Sequence, residues 1–268
     1  MKLSIITLEN VTSGQKELPS QCTEAYRPIL IKRAVHALQS VARQAYGAHP
    51  DAGKRHSSKL SKRRRKYRGC YGFGISRVNR KILSRRGTRF FWVGAFSPQT
   101  RGGRRSHPPK AEKQFDQKIN KKENRKAIRS ALAATLNRSM VIERGHTVPE
   151  TYPFIITSDF ENLTKTKNVE NVLKVIGFND ELKRSVLKKI RAGMGTLRGR
   201  RYQRKKGLLL VVGDACPLQK SASNIAGIDV VPVSALNAEV LAPGAMAGRV
   251  TLMTEKAVDI LKEKKLFI

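Results

Sequence analysis

The 268-residue sequence is poor in acid, cysteine and tryptophan, and it has no long apolar run. Asp and Glu number 20 against 54 Lys and Arg, which leaves a formal charge of +34. That scarcity excludes an ordinary soluble metabolic enzyme working alone, because charge of one sign repels itself and salt screens it only beyond roughly 10 Å. A polyanion is the natural complement, nucleic acid first and an anionic membrane a distant second. Cys22, Cys70 and Cys216 stand far apart without CxxC or Cys–His spacing, which argues against structural zinc and for reduced thiols. The longest purely apolar run, residues 208–212, is too short to span a bilayer. The opening MKLSIITLEN lacks the apolar core of a signal peptide, which predicts a soluble intracellular protein.

What is present is a real core and a concentrated charge. Apolar residues make up 40% of the chain, enough for a packed domain. Residues 52–111 hold 19 Lys and Arg and no Asp or Glu, with no sustained helical or alternating periodicity. Such a segment has no apolar face to bury, and polyanion contacts instead of a core could order it. Apolar residues at Ile31, Ala34, Val35, Leu38, Val41, Ala42 and Ala45 predict an amphipathic helix over residues 28–46, opened by Pro28 and stopped by Gly47. A second helix follows Asn120 and Glu123, which have capping-box spacing, with Ile128, Ala131, Leu132, Thr135 and Leu136 on its face. Two helices therefore bracket an insertion that leaves the body and returns to it.

The C-terminal half alternates. Strands are expected at residues 140–142, 154–157, 207–213, 228–233 and 249–253, with helices at 168–176, 180–190 and from Thr254 onward. Apolar β-branched runs separated by helices predict an α/β layered body, its mostly parallel sheet flanked by helices, with a long extended basic loop inserted near the N-terminus. The body is residues 1–46 and 114–268, and the loop is 47–113. A second basic stretch, residues 182–213, carries eleven Lys and Arg and no acid, with Gly and Arg interleaved. That interleaving suits close backbone approach to phosphate.

The basic segment supplies phosphate contacts from Lys59, Lys62, Arg63, Arg64, Arg65, Lys66, Arg68, Arg85, Arg86 and Arg89, and His107 reads as a phosphate or loop contact. Tyr67, Tyr71, Phe73, Phe90, Phe91, Trp92, Phe96 and Tyr202 lie among the cations as stacking platforms for unpaired bases, which favours folded RNA over duplex. A catalytic reading has little to stand on. No GxxxxGK[ST] or HExxH occurs, the glycines at 193–199 precede their strand, and Asp159, Glu161, Asp214 and Asp229 are scattered. Asp214 reads as a turn residue after a buried strand. No catalytic residue, metal or cofactor is expected.

RPILIKRAVHALQ, YGAHPDAG, GGRRSHPPK, RKAIRSALAAT, IRAGMGTLRGRRYQRKKG and SALNAEVLAPGAMAGRVTLMTEKA together resemble the universal large-subunit ribosomal protein four family in its archaeal-type version, in order along the whole chain. The resemblance implies a structural, non-enzymatic constituent of the large subunit, cytoplasmic, which binds ribosomal RNA, aids assembly and lines the peptide exit tunnel with its loop. It implies a tip at Tyr71, Gly72, Phe73, Gly74, Arg77 and Arg80, with Lys81 beside it. It implies an RNA clamp of Arg101, Arg104, Arg105 and Lys110, and a docking surface of Arg198, Arg200, Arg201, Arg204, Lys205 and Lys206. The partners it implies are ribosomal RNA, neighbouring ribosomal proteins and the nascent peptide, with Mg ions held only through the RNA. No membrane and no homo-oligomer are expected. The alternatives are a regulatory or assembly protein outside the mature ribosome, and a nucleic-acid-processing enzyme.

Overall fold

Strand β1 (Lys2–Ile6) and strand β2 (Thr12–Glu17) open the chain, followed by helix α1 (Pro28–Val41). Strands β3 (Arg80–Arg86) and β4 (Arg89–Gly94) come next, then α2 (Lys121–Thr135), α3 (Arg138–Glu143) and the short β5 (Ile155–Ile156). Helices α4 (Thr166–Val175) and α5 (Asn179–Val186) precede a small pair, β6 (Lys188–Ile190) and β7 (Tyr202–Arg204). The chain closes with β8 (Leu209–Val212), α6 (Leu218–Ala222), β9 (Asp229–Pro232), α7 (Ala238–Leu241), β10 (Thr251–Thr254) and α8 (Glu255–Glu263). The computed structural model describes residues 1–58, 60, 64, 65, 67 and 71–268. The expected contacts Lys59, Lys62, Arg63, Lys66 and Arg68 lie outside the described residues, as does Cys70.

The chain divides into two units, Met1–Ala42 with Asp116–Ile268, and Arg43–Phe115. The first is an α/β body on a six-stranded sheet of order β2-β1-β5-β10-β8-β9. Only the β1–β2 pair is antiparallel. Side chains alternate across the central strands, so each strand feeds two cores. Ile5, Ile155, Leu209, Val211 and Met253 meet α1, α2, α7 and α8 on one face. Ile6, Ile156, Leu210, Val212 and Leu252 meet α4, α5 and α6 on the other. Strand β8 is buried throughout, as an apolar run inside a covered parallel sheet must be. Each large side chain so enclosed contributes about 1.5–3 kcal/mol.

Four local expectations are corrected. Helix α1 does end early: its C-cap is Ala42 rather than Gly47, and Val41 is 64% exposed, so the apolar repeat ran past the helix. Ser40 explains the exit, since its Oγ donates to Ala37 O at 2.7 Å and accepts from the Gln117 amide at 2.8 Å. Asn120 makes no capping hydrogen bond, and Glu123 instead pairs with Arg33 at 3.3 Å. Residues 140–142 are helical rather than extended, because Asn137 caps α3 by accepting from Ser139 N at 3.1 Å. Residues 180–190 split into α5 and β6, the latter paired with β7. The cap expected at Thr254 is present, accepting from Ala257 N at 3.3 Å.

The Arg43–Phe115 unit is built differently. Among its described residues Ala95 is the one buried apolar side chain. Its two ends run together: Ala48 N donates to Pro109 O at 3.0 Å, and the Tyr46 and Phe115 rings stack at 5.7 Å. Gly53, at φ +75°, lies so near this return strand that a Cβ would sit 2.5 Å from Arg104 Cα. Strands β3 and β4 form an antiparallel hairpin turned by Gly87 (φ +57°), regular structure that the sequence pattern did not announce.

Candidate nucleic-acid interface

Cations and rings alternate through the Arg43–Phe115 unit and pair with each other instead of with carboxylates. Arg64 and Arg77 flank the Tyr71 ring at 5.6 and 6.0 Å. On the hairpin Arg85 lies 4.6 Å from the Phe90 centroid, and Arg89 lies 5.7 Å from Phe91. Arg104 covers Phe96 at 5.3 Å, and Arg43 covers Phe115 at 4.3 Å. Each ring holds a guanidinium plane in place without neutralising it. Phe73 and Trp92 are mostly exposed and open to stacking. Gly72 and Gly74, at φ +85° and +64°, turn where a Cβ would meet nothing within 4 Å.

Arg65, Arg77, Arg85, Arg86, Arg89, Arg101, Arg105, His107 and Lys110 are exposed, while Arg80, Lys81 and Arg104 are half-buried. Arg80 is tied to its own turn through Ser76 O at 3.1 Å and Ser76 Oγ at 3.0 Å. Among the described residues, none of these cations has a carboxylate within ion-pair distance. A cavity of about 760 Å³ opens between Tyr46, Arg105, His107, Lys110, Lys113 and Phe115. Arg43, Tyr46, Lys113 and Phe115 were missed from sequence because they stand just outside the acid-free run, beside Asp51, Glu112 and Asp116.

The body presents a second basic surface on β6 and β7. Lys188 and Arg201 sit 5.5 and 5.8 Å from the Tyr202 ring, and Arg191 Nε donates to Arg200 O at 3.2 Å. Gly193 and Gly199, both at φ +77°, let the backbone fold so that Arg198, Arg200, Arg201, Arg204 and Lys205 stand exposed. Lys206 differs from them: its Nζ pairs with Asp229 at 2.9 Å, and Asp229 also holds the buried Arg249 at 2.6 Å.

A buried cluster anchors this surface. Glu181 accepts from Arg184 at 2.6 and 2.7 Å and from Thr147 N at 3.1 Å, and it contacts His146 Nδ1 at 2.8 Å. Arg184 also donates to Lys206 O at 2.8 Å, tying α5 to the strand that leaves the hairpin. Burial would raise the Glu181 carboxyl, but the hydrogen bonds from Arg184 and His146 overturn that and hold it low. His146 is pushed below its ordinary 6.5, first by burial and then by Arg184 and Arg144, against the pull of Glu181.

The body should therefore lose stability as pH falls below 6.5, where the unfolded chain takes up a proton that folded His146 refuses. The slope approaches about 1.4 kcal/mol per pH unit down to the lowered folded value. Thermal unfolding from pH 7.5 to 5.5 measures it, and His146→Gln should flatten the profile. An equally steep decline in that variant refutes the assignment to His146.

Three of the four carboxylates weighed for catalysis, Glu161, Asp214 and Asp229, are held by other groups. Glu161 accepts from Gly213 N at 2.9 Å and Thr254 Oγ1 at 2.6 Å, and Asp214 faces Lys256 at 3.5 Å in an exposed turn. Among the described residues no group of three or more His, Cys, Asp or Glu is placed to hold a metal ion. No helix among them is long and apolar enough to cross a membrane.

Residues 16–264 match the model of the Ribosomal protein L4/L1 family. The chain is 47% identical to the large ribosomal subunit protein uL4 of Nanoarchaeum equitans, over the full length of both. It is 42% identical to that of Archaeoglobus fulgidus, covering 98% of this chain and 99% of the relative. With that of Methanococcus vannielii the identity is 41%, covering 98% and 100%. A basic unit with almost no apolar core, a mostly parallel α/β body and end-to-end likeness to these proteins agree: the chain belongs to the Ribosomal protein L4/L1 family.

Proposed function

We propose that this chain is a structural, non-catalytic protein of the large ribosomal subunit, working in the cytoplasmic ribosome and bound to ribosomal RNA through its basic unit and the surface around β6 and β7. One observation carries the reading: Arg43–Phe115 has Ala95 as its single buried apolar side chain among the described residues, yet keeps its cations free of carboxylates. Such a unit gains its stability from phosphate, and its ordering entropy is offset when RNA is bound during assembly.

In this reading residues 47–113 are the RNA-penetrating extended loop. Its glycine-rich turn at Tyr71–Gly74 and the cations Arg77 and Arg80 form the part that lines the exit tunnel and meets the nascent peptide. Arg101, Arg104, Arg105 and Lys110 clamp RNA nearer the paired ends of the unit, and Arg198, Arg200, Arg201, Arg204 and Lys205 dock the body. Neighbouring ribosomal proteins complete the partners. The chain acts as a single copy and needs no cofactor of its own, Mg ions reaching it only through the RNA.

Salt titration of binding to large-subunit RNA tests this. Arg198→Ala removes an exposed cation without a carboxylate partner, so the log–log salt slope should fall by about 0.7–0.9. Lys206→Ala should change the slope less, because that ammonium is already paired with Asp229, which offsets part of its field. A binding constant indifferent to salt in the unaltered chain would overturn the proposal.

A further inference from the structure

A shallow groove on the body, remote in composition from the basic surfaces, is lined by Tyr26, Ile29, Met140, Arg144 and Met246. Ile29 is 84% exposed and Met246 65% exposed, and the two stand on the same groove. The segment Pro243–Gly248, part of the APGAMAG run, builds one wall. Gly244 and Ala245 both take left-handed backbone, at φ +75° and +66°. Ala245 has a Cβ to strain there, and the conformation leaves Met246 facing outward. Gly248 permits the close packing behind it, since a Cβ would sit 2.8 Å from Met140 O.

Arg144 is the groove's odd member. Its Nη2 donates to Pro243 O at 2.6 Å, but Nη1 is enclosed and has no acceptor among the described residues. Glu143, adjacent in sequence and on the same groove, is not among its ion-pair partners in the described residues. Burial, with Arg249 and Arg184 nearby, pulls this guanidinium down to about 10, the mark of a cation short of a counter-charge. Glu143 and Lys32 both line this groove, and apart from them and Arg144 the lining is apolar or aromatic. Exposed Met, Tyr and Ile around Arg144, with Lys32 and Glu143 of opposite sign beside them, make the composition of a protein interface.

We propose that this groove docks a segment of a neighbouring polypeptide in the large subunit, with apolar side chains set against Ile29 and Met246 and an Asp, Glu or chain-terminal carboxylate set against Arg144. The proposal rests on the ribosomal reading. A small rotation of the guanidinium turns Nη1 to the incoming carboxylate, while Nη2 keeps Pro243.

The test places the photocrosslinking residue p-benzoylphenylalanine at position 29, whose side chain already faces solvent. Large subunits carrying that chain are purified by sedimentation, irradiated, and digested separately with protease and ribonuclease. The expected product joins position 29 to a polypeptide segment with a carboxylate within a few residues of the crosslink. Arg144→Gln, which keeps a donor for Pro243 O but loses the charge, should lower its yield at least fivefold. A crosslink to RNA, no crosslink to polypeptide, a segment lacking a carboxylate, or an undiminished yield in Arg144→Gln overturns the proposal alone. A chain that fails to sediment with the large subunit sinks the ribosomal reading as well.

Discussion

Replacing Arg43–Phe115 with a short Gly/Ser linker should leave the body folded and abolish stable incorporation into the large subunit. Both halves of this result follow from where the apolar contacts lie. The body keeps both faces of its sheet covered without that unit, since the residues of the two cores all fall within Met1–Ala42 and Asp116–Ile268. The chain ends left by the excision already meet, because Ser40 Oγ accepts from the Gln117 amide at 2.8 Å. The melting temperature should therefore move by only about 2–4 °C, the shift of roughly 1 kcal/mol in a body of this size. Incorporation should fall by orders of magnitude, because most of the phosphate contacts leave together and each contributes to a steep electrostatic term. Circular dichroism and gradient sedimentation read the two halves independently. Normal incorporation of the shortened chain would show that the body alone carries the assembly function.

Arg249→Ala should be the most damaging single substitution in the body. This side chain is 1% exposed and saturates its surroundings, donating to Gly207 O at 2.9 Å, Val240 O at 2.9 Å and Asp229 at 2.6 Å. Truncation leaves two carbonyls without a donor and a half-buried carboxylate with Lys206 alone, and it opens a cavity beneath β9. Breaking one side of such a pair costs about 3–5 kcal/mol, because the remaining groups stay desolvated. The melting temperature should fall by roughly 6–20 °C. Arg249→Met combined with Asp229→Asn should recover part of the loss, since replacing both charges by neutral side chains avoids the stranded carboxylate. A fall below about 1 kcal/mol for Arg249→Ala would mean that water enters and satisfies the site.

How far the fold was legible depended on whether a signal was local. Residues 207–213 read as a buried strand because an unbroken apolar run this short, bounded by glycines, has few other homes, and β8 lies there. The amphipathic repeat of α1 was legible, but its end was not. The exit is set by Ser40 bonding to Gln117, a contact across the whole insertion. Residues 140–142 look extended by composition, and one Asn137 cap decides otherwise. The hairpin of β3 and β4 escaped notice because a bulge between Ile82 and Ser84 breaks the alternation, and Ile82, Leu83, Phe91 and Trp92 are exposed where periodicity would seek a buried face. Strand β2, TSGQKE, has no apolar residue at all and is held by pairing with β1.

The same contrast separates the interface residues. A run free of acid is visible in one dimension, so the cations of residues 52–111 could be named from composition. Lys206 sits in a similar run, yet it is paired with Asp229, 23 residues away in sequence on β9. Tyr46 and Phe115 flank opposite ends of the insertion and become one stacked pair only once the ends converge.

That convergence at Ser40 and Gln117 also frees the insert's size from the energetics of the body. Closing a flexible excursion scales with the logarithm of its length, so doubling the excursion costs the body only about 0.6 kcal/mol. The excursion can therefore be lengthened, trimmed or resequenced while α1 and α2 continue to pack as if nothing lay between them.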